Sequence, residues 1–249
     1  MPAYATVEAT PARPAPPLLL SHRAAWRIGA ALCVAALLTW ALGRWTDIDL
    51  ALADALYDRT TGVFPWRDAW LADRFGHRIM KALLTVLAAL FVAAAVGDAI
   101  WPRAIPARPL MRLRLRIVAG AAVAVPLATS LLKQASNAHC PWDLARYGGS
   151  HPYLRLFDAL PPGVPPGHCL PAGHASSALW LVALAVLWLP HQPRKAWRAA
   201  GAALVPGLAM GWLQQMRGAH FLTHTLWSLW IACAVVLALT MALQSRAPR

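Results

Sequence analysis

Six stretches of this chain run for 15 to 19 residues with only one charged side chain among them, Asp98. They cover about Ile28 to Gly43, Ala82 to Ile100, Ile117 to Leu132, Ala175 to Leu189, Ala199 to Leu213 and Thr225 to Leu243. A backbone inside hydrocarbon must satisfy its own polar groups, so apolar runs of this scale are confined to spanning helices. Flanking Lys and Arg extend the shorter runs by laying aliphatic stems along the core while their head groups reach water. Only 13% of the residues are charged, against roughly 25% in a soluble domain. The expected fold is all-α: a polytopic membrane protein with six transmembrane helices in one bundle. A soluble enzyme, a disordered chain and a small disulfide scaffold are excluded as whole-chain readings.

Positive charge sets the orientation, because cytoplasmic segments are enriched in Lys and Arg. With the N-terminus inside, the inner segments hold thirteen Lys and Arg against Glu8 and Asp98, and the outer segments hold ten against eight acids. The bias is strongest from Arg103 to Arg116, with five arginines and no acid. Both termini are therefore expected in the cytoplasm, in a multi-pass protein of a bacterial inner membrane. Trp26, Trp45, Trp101, Trp188 and Trp197 fall near span ends, where aromatic belts form. The net charge of +13 lies in short clusters between apolar runs, which fits topology and argues against a nucleic-acid partner.

Residues 1–22 are rich in proline and lack apolar periodicity, so they are expected to be a disordered cytoplasmic tail ahead of one membrane domain, 23–249. The run from Ile28 to Gly43 is longer than the usual apolar region of a signal peptide, and Ala41-Leu42-Gly43 makes a poor cleavage site, so it is read as a span. Residues 44–81 alternate Asp and Arg with Leu50, Leu52, Leu56 and Trp70, which predicts an amphipathic helix on the membrane surface, an interfacial cap. Residues 133–173 are rich in Pro, Gly and His, and a loop of that length usually carries function.

Three polar clusters fall where a span meets the outer face: Lys133 to Arg146, Cys169 to Ser177 and Arg217 to Ser228. The outer segments 133–177 and 214–228 thus carry the candidate site, at the periplasmic face. Their residue types suit phosphoryl transfer, with cations to hold an anion and imidazoles for nucleophilic and acid-base work. Pro171-Ala172-Gly173-His174 immediately precedes the fourth span, so helix-start amides would face the anion, and Gly173 permits close approach. His220 and His224 are four residues apart, on one face of a helix that starts early enough, so one can orient the other.

These residues resemble the type 2 phosphatidic acid phosphatase superfamily of integral membrane lipid phosphatases, over roughly residues 80 to 243. That family's motifs are Lys-x6-Arg-Pro, Pro-Ser-Gly-His and Ser-Arg-x5-His-x3-Asp on a six-helix bundle. Here they correspond to Lys133 through Cys140-Pro141, Pro171-Ala172-Gly173-His174, and Arg217 through His224. The resemblance implies that Lys133 binds phosphate and that His174 protonates the leaving oxygen. Cys140 stands where an arginine is expected, Ala172 replaces serine, and Arg146 is a candidate for the missing cation.

Two registers compete in the third motif. In one, Gly-Ala-His-Phe-Leu-Thr-His makes His220 the nucleophile, puts His224 in the place of the orienting aspartate, and lets the expected arginine fall on Gln214. Arg217 then lies one helical turn later, within reach of the same phosphate. In the other, Arg217 stays aligned and Thr223 comes to the nucleophile position, with His224 one residue beyond. The first is preferred. An imidazole in place of a carboxylate removes a charge that would stabilise the imidazolium, so rate or pH optimum is expected to differ from relatives.

Cys140 and Cys169 flank the first two motifs in an oxidising compartment and are expected to form a disulfide; Cys33 and Cys233 lie inside spans as small apolar side chains. Lone histidines such as His139, His151, His168 and His191 read as ordinary interfacial groups. Two other classes compete. A zinc enzyme would draw on His139, Cys140, His168, Cys169, His174, His220 and His224, but their spacing matches no usual zinc pattern. A transporter would carry ionisable groups at mid-membrane, where these spans have almost none. The sequence therefore points to a membrane phosphatase that needs no metal or other cofactor. Its expected substrate is a lipid phosphate or diphosphate of isoprenoid, phosphatidate or lipid A type. A phosphotransferase using the same phosphohistidine is the alternative.

Overall fold

The computed structural model of the chain describes residues 18–102 and 109–245. It is all-α, with no strand among the described residues. We number the helices α1 (His22–Trp45), α2 (Ile48–Leu56), α3 (Leu71–Ile100), α4 (Pro109–Gln134), α5 (Gly173–Trp188), α6 (Pro193–Met216) and α7 (Leu222–Ser245). Leu189 excepted, each predicted apolar run lies within one of them. Four helices, α1, α3, α4 and α7, are long and apolar enough to cross a membrane. Helix α5 is short, and α6 carries Arg194, Lys195, Arg198, Gln214 and Gln215 among its 24 residues.

Local sequence explains the elements. Ser21 caps α1, its hydroxyl accepting from the Ala24 amide at 3.2 Å, which satisfies one orphan donor of the first turn. In α4 the buried positions Ile117, Val118, Ala121, Ala122, Val125 and Thr129 recur at helical spacing, so one stripe faces the bundle. Helix α4 packs on α3, α5 and α7, α6 covers α5, and α1 lies mainly along α7. Trp180, 1% exposed, fills the core of the bundle beside Phe91, their rings 6.0 Å apart. Glycines admit the closest crossings: a Cβ on Gly207 would stand 2.5 Å from Leu179, and one on Gly211 2.4 Å from Thr225. Small residues at helix contacts are the usual device in membranes, where apolar burial drives little. Val34, Leu37, Leu38, Leu83, Val86, Leu90 and Val205 point outward.

Opposite ends of the bundle can be told apart. Leu20 exchanges two hydrogen bonds with the Gln244 amide, Leu20 N–H to Oε1 at 3.1 Å and Nε2 to Leu20 O at 2.9 Å. The start of α1 is thereby fixed to the end of α7. Residues 1–17 of the expected tail lie outside the described residues, but its last part, from Leu18 to Ser21, is held by this contact, with Leu19 buried. At the same end Arg112 and Arg116 meet buried Asp98 at 3.0 and 3.9 Å. The motif residues all fall at the other end, at the close of α4 and α6 and the start of α5 and α7.

The segment 44–81 departs from the expected single surface helix. It forms the short α2 and then nine π-helical residues, Leu71–Ile79, that make up the first part of α3. Helix α2 docks on the bundle end, because Ala53, Phe64, Leu144, Tyr147 and Phe221 close a second small core there. Leu50 and Leu56 of the face that reads as membrane-facing in one dimension pack on this core, whereas Trp70 stays exposed.

Candidate active site

Cys140 and Cys169 form the expected disulfide, with Cα atoms 5.3 Å apart. Three backbone bonds run alongside it, from the amides of Gly167, His168 and Cys169 to the carbonyls of Asn137, Ser136 and Ala138. Together they draw the end of α4, with Lys133, toward the start of α5. Helix α5 is then fastened to α7: the Ala172 amide donates to His224 O at 3.1 Å and the Ser228 hydroxyl to Ala172 O at 3.0 Å. The first, second and third motifs are thus bonded into one end of the bundle.

Three imidazoles gather there. His220 lies between the other two, its ring centre 5.9 Å from that of His174 and 5.8 Å from that of His224. His220 and His224 are both 3% exposed, whereas His174 is half-buried. His220 sits just before α7, in a tight turn. Gly218 has φ +73° there, and a Cβ on it would stand 2.4 Å from the Phe64 ring, so only glycine fits. The Nδ1 of His220 lies 3.4 Å from the Cys169 sulfur. Burial, reinforced by His224, His174 and Lys133 nearby, holds the His220 imidazole well below its ordinary value. It is therefore neutral at pH 7 with one nitrogen lone pair available.

Lys133, half-buried in the last turn of α4, is close enough to act on His220 and His224 electrostatically. Lys81, exposed near the start of α3, is close enough to act on Lys133 in the same way. Gly173 opens α5 with no atom within 4 Å of a would-be Cβ, so the helix start is clear for an incoming group. Beside His224 lies a small cleft lined in part by Gly43, Tyr153, Phe221, Thr223 and Trp227.

The two arginines expected on the phosphate are engaged otherwise. Arg217, 7% exposed, donates through Nε to Arg67 O at 2.8 Å, through Nη1 to Gln214 Oε1 at 3.1 Å and through Nη2 to Asp73 at 2.8 Å. It does reach back one turn to Gln214, and there it closes an ion pair with the start of α3. Arg146 lies in the outer loop and grips Asp54 of α2 with two bonds, at 2.8 and 2.5 Å. An available carboxylate takes each guanidinium, Asp54 in two bonds with Arg146 and Asp73 in one with Arg217. His139 and His151 stack 4.3 Å apart in the outer loop, outside the trio.

Three acids escaped the sequence reading: Asp49, Asp54 and Asp73. They stand out only as members of an alternating Asp and Arg pattern, and their partners lie about a hundred residues or more away in sequence. The cysteine and histidine set also invites a metal: Cys140, Cys169 and His220 offer ligand atoms within 4.8 Å of one another. Both sulfurs are consumed in the disulfide, and a zinc ligand must be a thiolate, so this set does not fit zinc.

The sequence model of the PAP2 superfamily matches residues 114–248, just over half of the chain. No curated protein and no solved structure matches it. The chain belongs to the PAP2 superfamily.

Proposed function

We propose that this PAP2 superfamily member is a six-span lipid phosphatase that works at the outer, periplasmic face of a bacterial inner membrane, with both termini in the cytoplasm. Family membership supports phosphatase chemistry. Six crossings are consistent with geometry. The last nine residues of α5 form a 3₁₀-helix, and at about 2.0 Å per residue there and about 1.5 Å before it the helix reaches about 28 Å, near the hydrocarbon thickness. The arginine-rich ends of α4 and α6 lie opposite the histidines, which supports an outer site by the positive-inside rule.

The observation that carries the reading is the neutral, buried His220 held between His174 and His224 beside Lys133. In the proposed reaction Lys133 and the amides at Gly173 hold the phosphate, and a His220 nitrogen attacks phosphorus. The P–O bond to the lipid breaks as His174 gives its proton to the departing oxygen. Water then attacks the phosphohistidine, His174 takes the water's proton, the P–N bond breaks, and inorganic phosphate leaves. His224 orients His220. Arg217 and Arg146 hold the outer segments in place around the site. The lipid enters sideways, its tails remaining in the bilayer and its head group meeting the outer loop.

The test is phosphate release by purified protein from a panel of lipid phosphates and diphosphates in the presence of EDTA. Release should survive EDTA and fall at least about a thousandfold in His220→Ala and His174→Ala. Full activity in His220→Ala would overturn the assignment of the nucleophile, and loss of release with EDTA would overturn the metal-free reaction.

A further inference from the structure

Helix α7 begins at Leu222, and the residue before it, Phe221, has no polar atom with which to cap the free amides of the first turn. The cap comes from a distant part of the chain. Asp49, in the first turn of α2, accepts from the Thr223 amide through Oδ1 at 3.0 Å and from the Thr223 hydroxyl through Oδ2 at 2.5 Å. Asp49 is 3% exposed, and a carboxylate so buried is costly unless hydrogen bonds and a helix dipole hold it. It lines the same cleft as Thr223 and His224.

The bonded residue sits between the two buried imidazoles in sequence, three after His220 and one before His224. The turn 219–221 is packed into the bundle end, with the Ala219 amide on Gln214 O, the sulfur of Cys169 near Ala219 O and the Phe221 ring in the second small core beside Tyr153, but none of these contacts caps the first-turn amides of α7. A rigid clamp at Thr223 therefore fixes the far end of a short connection whose near end is Gly218. We propose that Asp49 is a positioning residue of the site: by capping the first turn of α7 from another element, it sets the direction of the His224 ring and the placement of His220. Asp49 lies outside the stretch that matches the family model. The kinetic consequence rests on the phosphatase reading, and the structural one does not.

The experiment uses full-length protein in nanodiscs with ring-15N histidine, comparing wild type with Asp49→Ala and Asp49→Asn. Asparagine keeps an oxygen for the Thr223 amide and supplies an N–H to the Thr223 hydroxyl, so it preserves both bonds. Asp49→Ala should shift or broaden the ring signals of His220 and His224 while leaving His139 and His151 in place. In the phosphate assay it should lower kcat about tenfold to a hundredfold with KM within about threefold. Asp49→Asn should restore the ring signals and most of kcat. If Asp49→Ala does not fold, Asp49→Glu takes its place, since one extra methylene displaces the clamp and should move the same two signals. Unmoved His220 and His224 signals in the displaced variant, or an Asp49→Asn protein as disturbed as Asp49→Ala, would overturn the proposal. A wild type that releases no phosphate counts against the phosphatase reading alone, because the ring signals report on Asp49 without turnover.

Discussion

The bundle and the cap above its histidine end are held together by different physics. In the bundle, Trp180, Ile117, Val118 and the close crossings at Gly207 and Gly211 hold the helices by shape. In the cap, Asp54 meets Arg146 and Tyr147, Arg155 meets Asp47 and the Thr46 carbonyl, Arg44 meets Asp158 at 2.5 Å, and Asp73 meets Arg217. The aromatic knot of Tyr57, Phe64 and Tyr147 sits among these bonds, with ring centres 5.1 to 5.4 Å apart. A lipid-facing bundle gains little from burying more apolar surface, so it depends on fit. The cap meets water, where directional bonds between loops can fix a geometry that packing alone would leave loose. The histidines lie at the boundary, and each depends on both regions.

The comparison is broken most severely on the bundle side. Trp180→Ala should cost about 3–5 kcal/mol of stability, the range for deleting a large buried ring, read as a lowered melting temperature in detergent. Breaking the cap should be a smaller and more local event. Cys140→Ser opens a loop closed across 29 residues and should cost about 3 kcal/mol by the chain-entropy account. Limited proteolysis should then cut between 141 and 168 while helix content by circular dichroism stays the same. Equal loss of helix in both variants would show that the two regions unfold as one.

The electrostatic side of the comparison is sharpened by pH. Because the proximity of the bundle buries His220 and neighbouring cations oppose its protonation, its folded value lies below that of the unfolded chain. The neutral form of the imidazole therefore persists as pH falls, and it is lost only below the ordinary imidazole range. Phosphate release at pH 5.5 should stay within about twofold of that at pH 7.5, whereas an imidazole at about 6.5 would have lost about tenfold. A tenfold drop would place His220 in water rather than in the bundle mouth. The smallest effect is expected at the outermost contact: Arg146→Ala, in an exposed ion pair with Asp54, should leave turnover within about twofold. A large loss there would return Arg146 to the phosphate.

The apolar helices were legible because a hydrocarbon solvent writes its demand into every residue of a run, and no distant partner is needed to read it; four of them are long enough to cross a membrane. The segments that carry Lys133, His174, His220 and His224 were legible for a similar reason, since each is short and lies at a helix end, and the structure brings them to one end of the bundle. Cys140 and Cys169 were legible as a pair because compartment and placement left each an obvious partner. The roles of Arg146 and Arg217 were not, because a guanidinium near a candidate phosphate site looks the same in one dimension whether an acid waits across the fold or not. Asp54 and Asp73 are 92 and 144 residues from their partners. The amphipathic pattern of 44–81 showed correctly that one face is buried, yet could not say whether lipid or protein buries it.

The sequence by itself determined an all-α chain with apolar helices of membrane length, and the polar motif segments and imidazoles that gather at one end of the bundle. Those properties follow from local composition against a uniform solvent. Only the tertiary structure decided which cation lies near His220, which arginines serve as clamps, and that a carboxylate from α2 closes the first turn of α7. Each of these depends on which of several equivalent charges comes within about 3 Å of another, a distance that loops and helix crossings set and that sequence spacing does not encode.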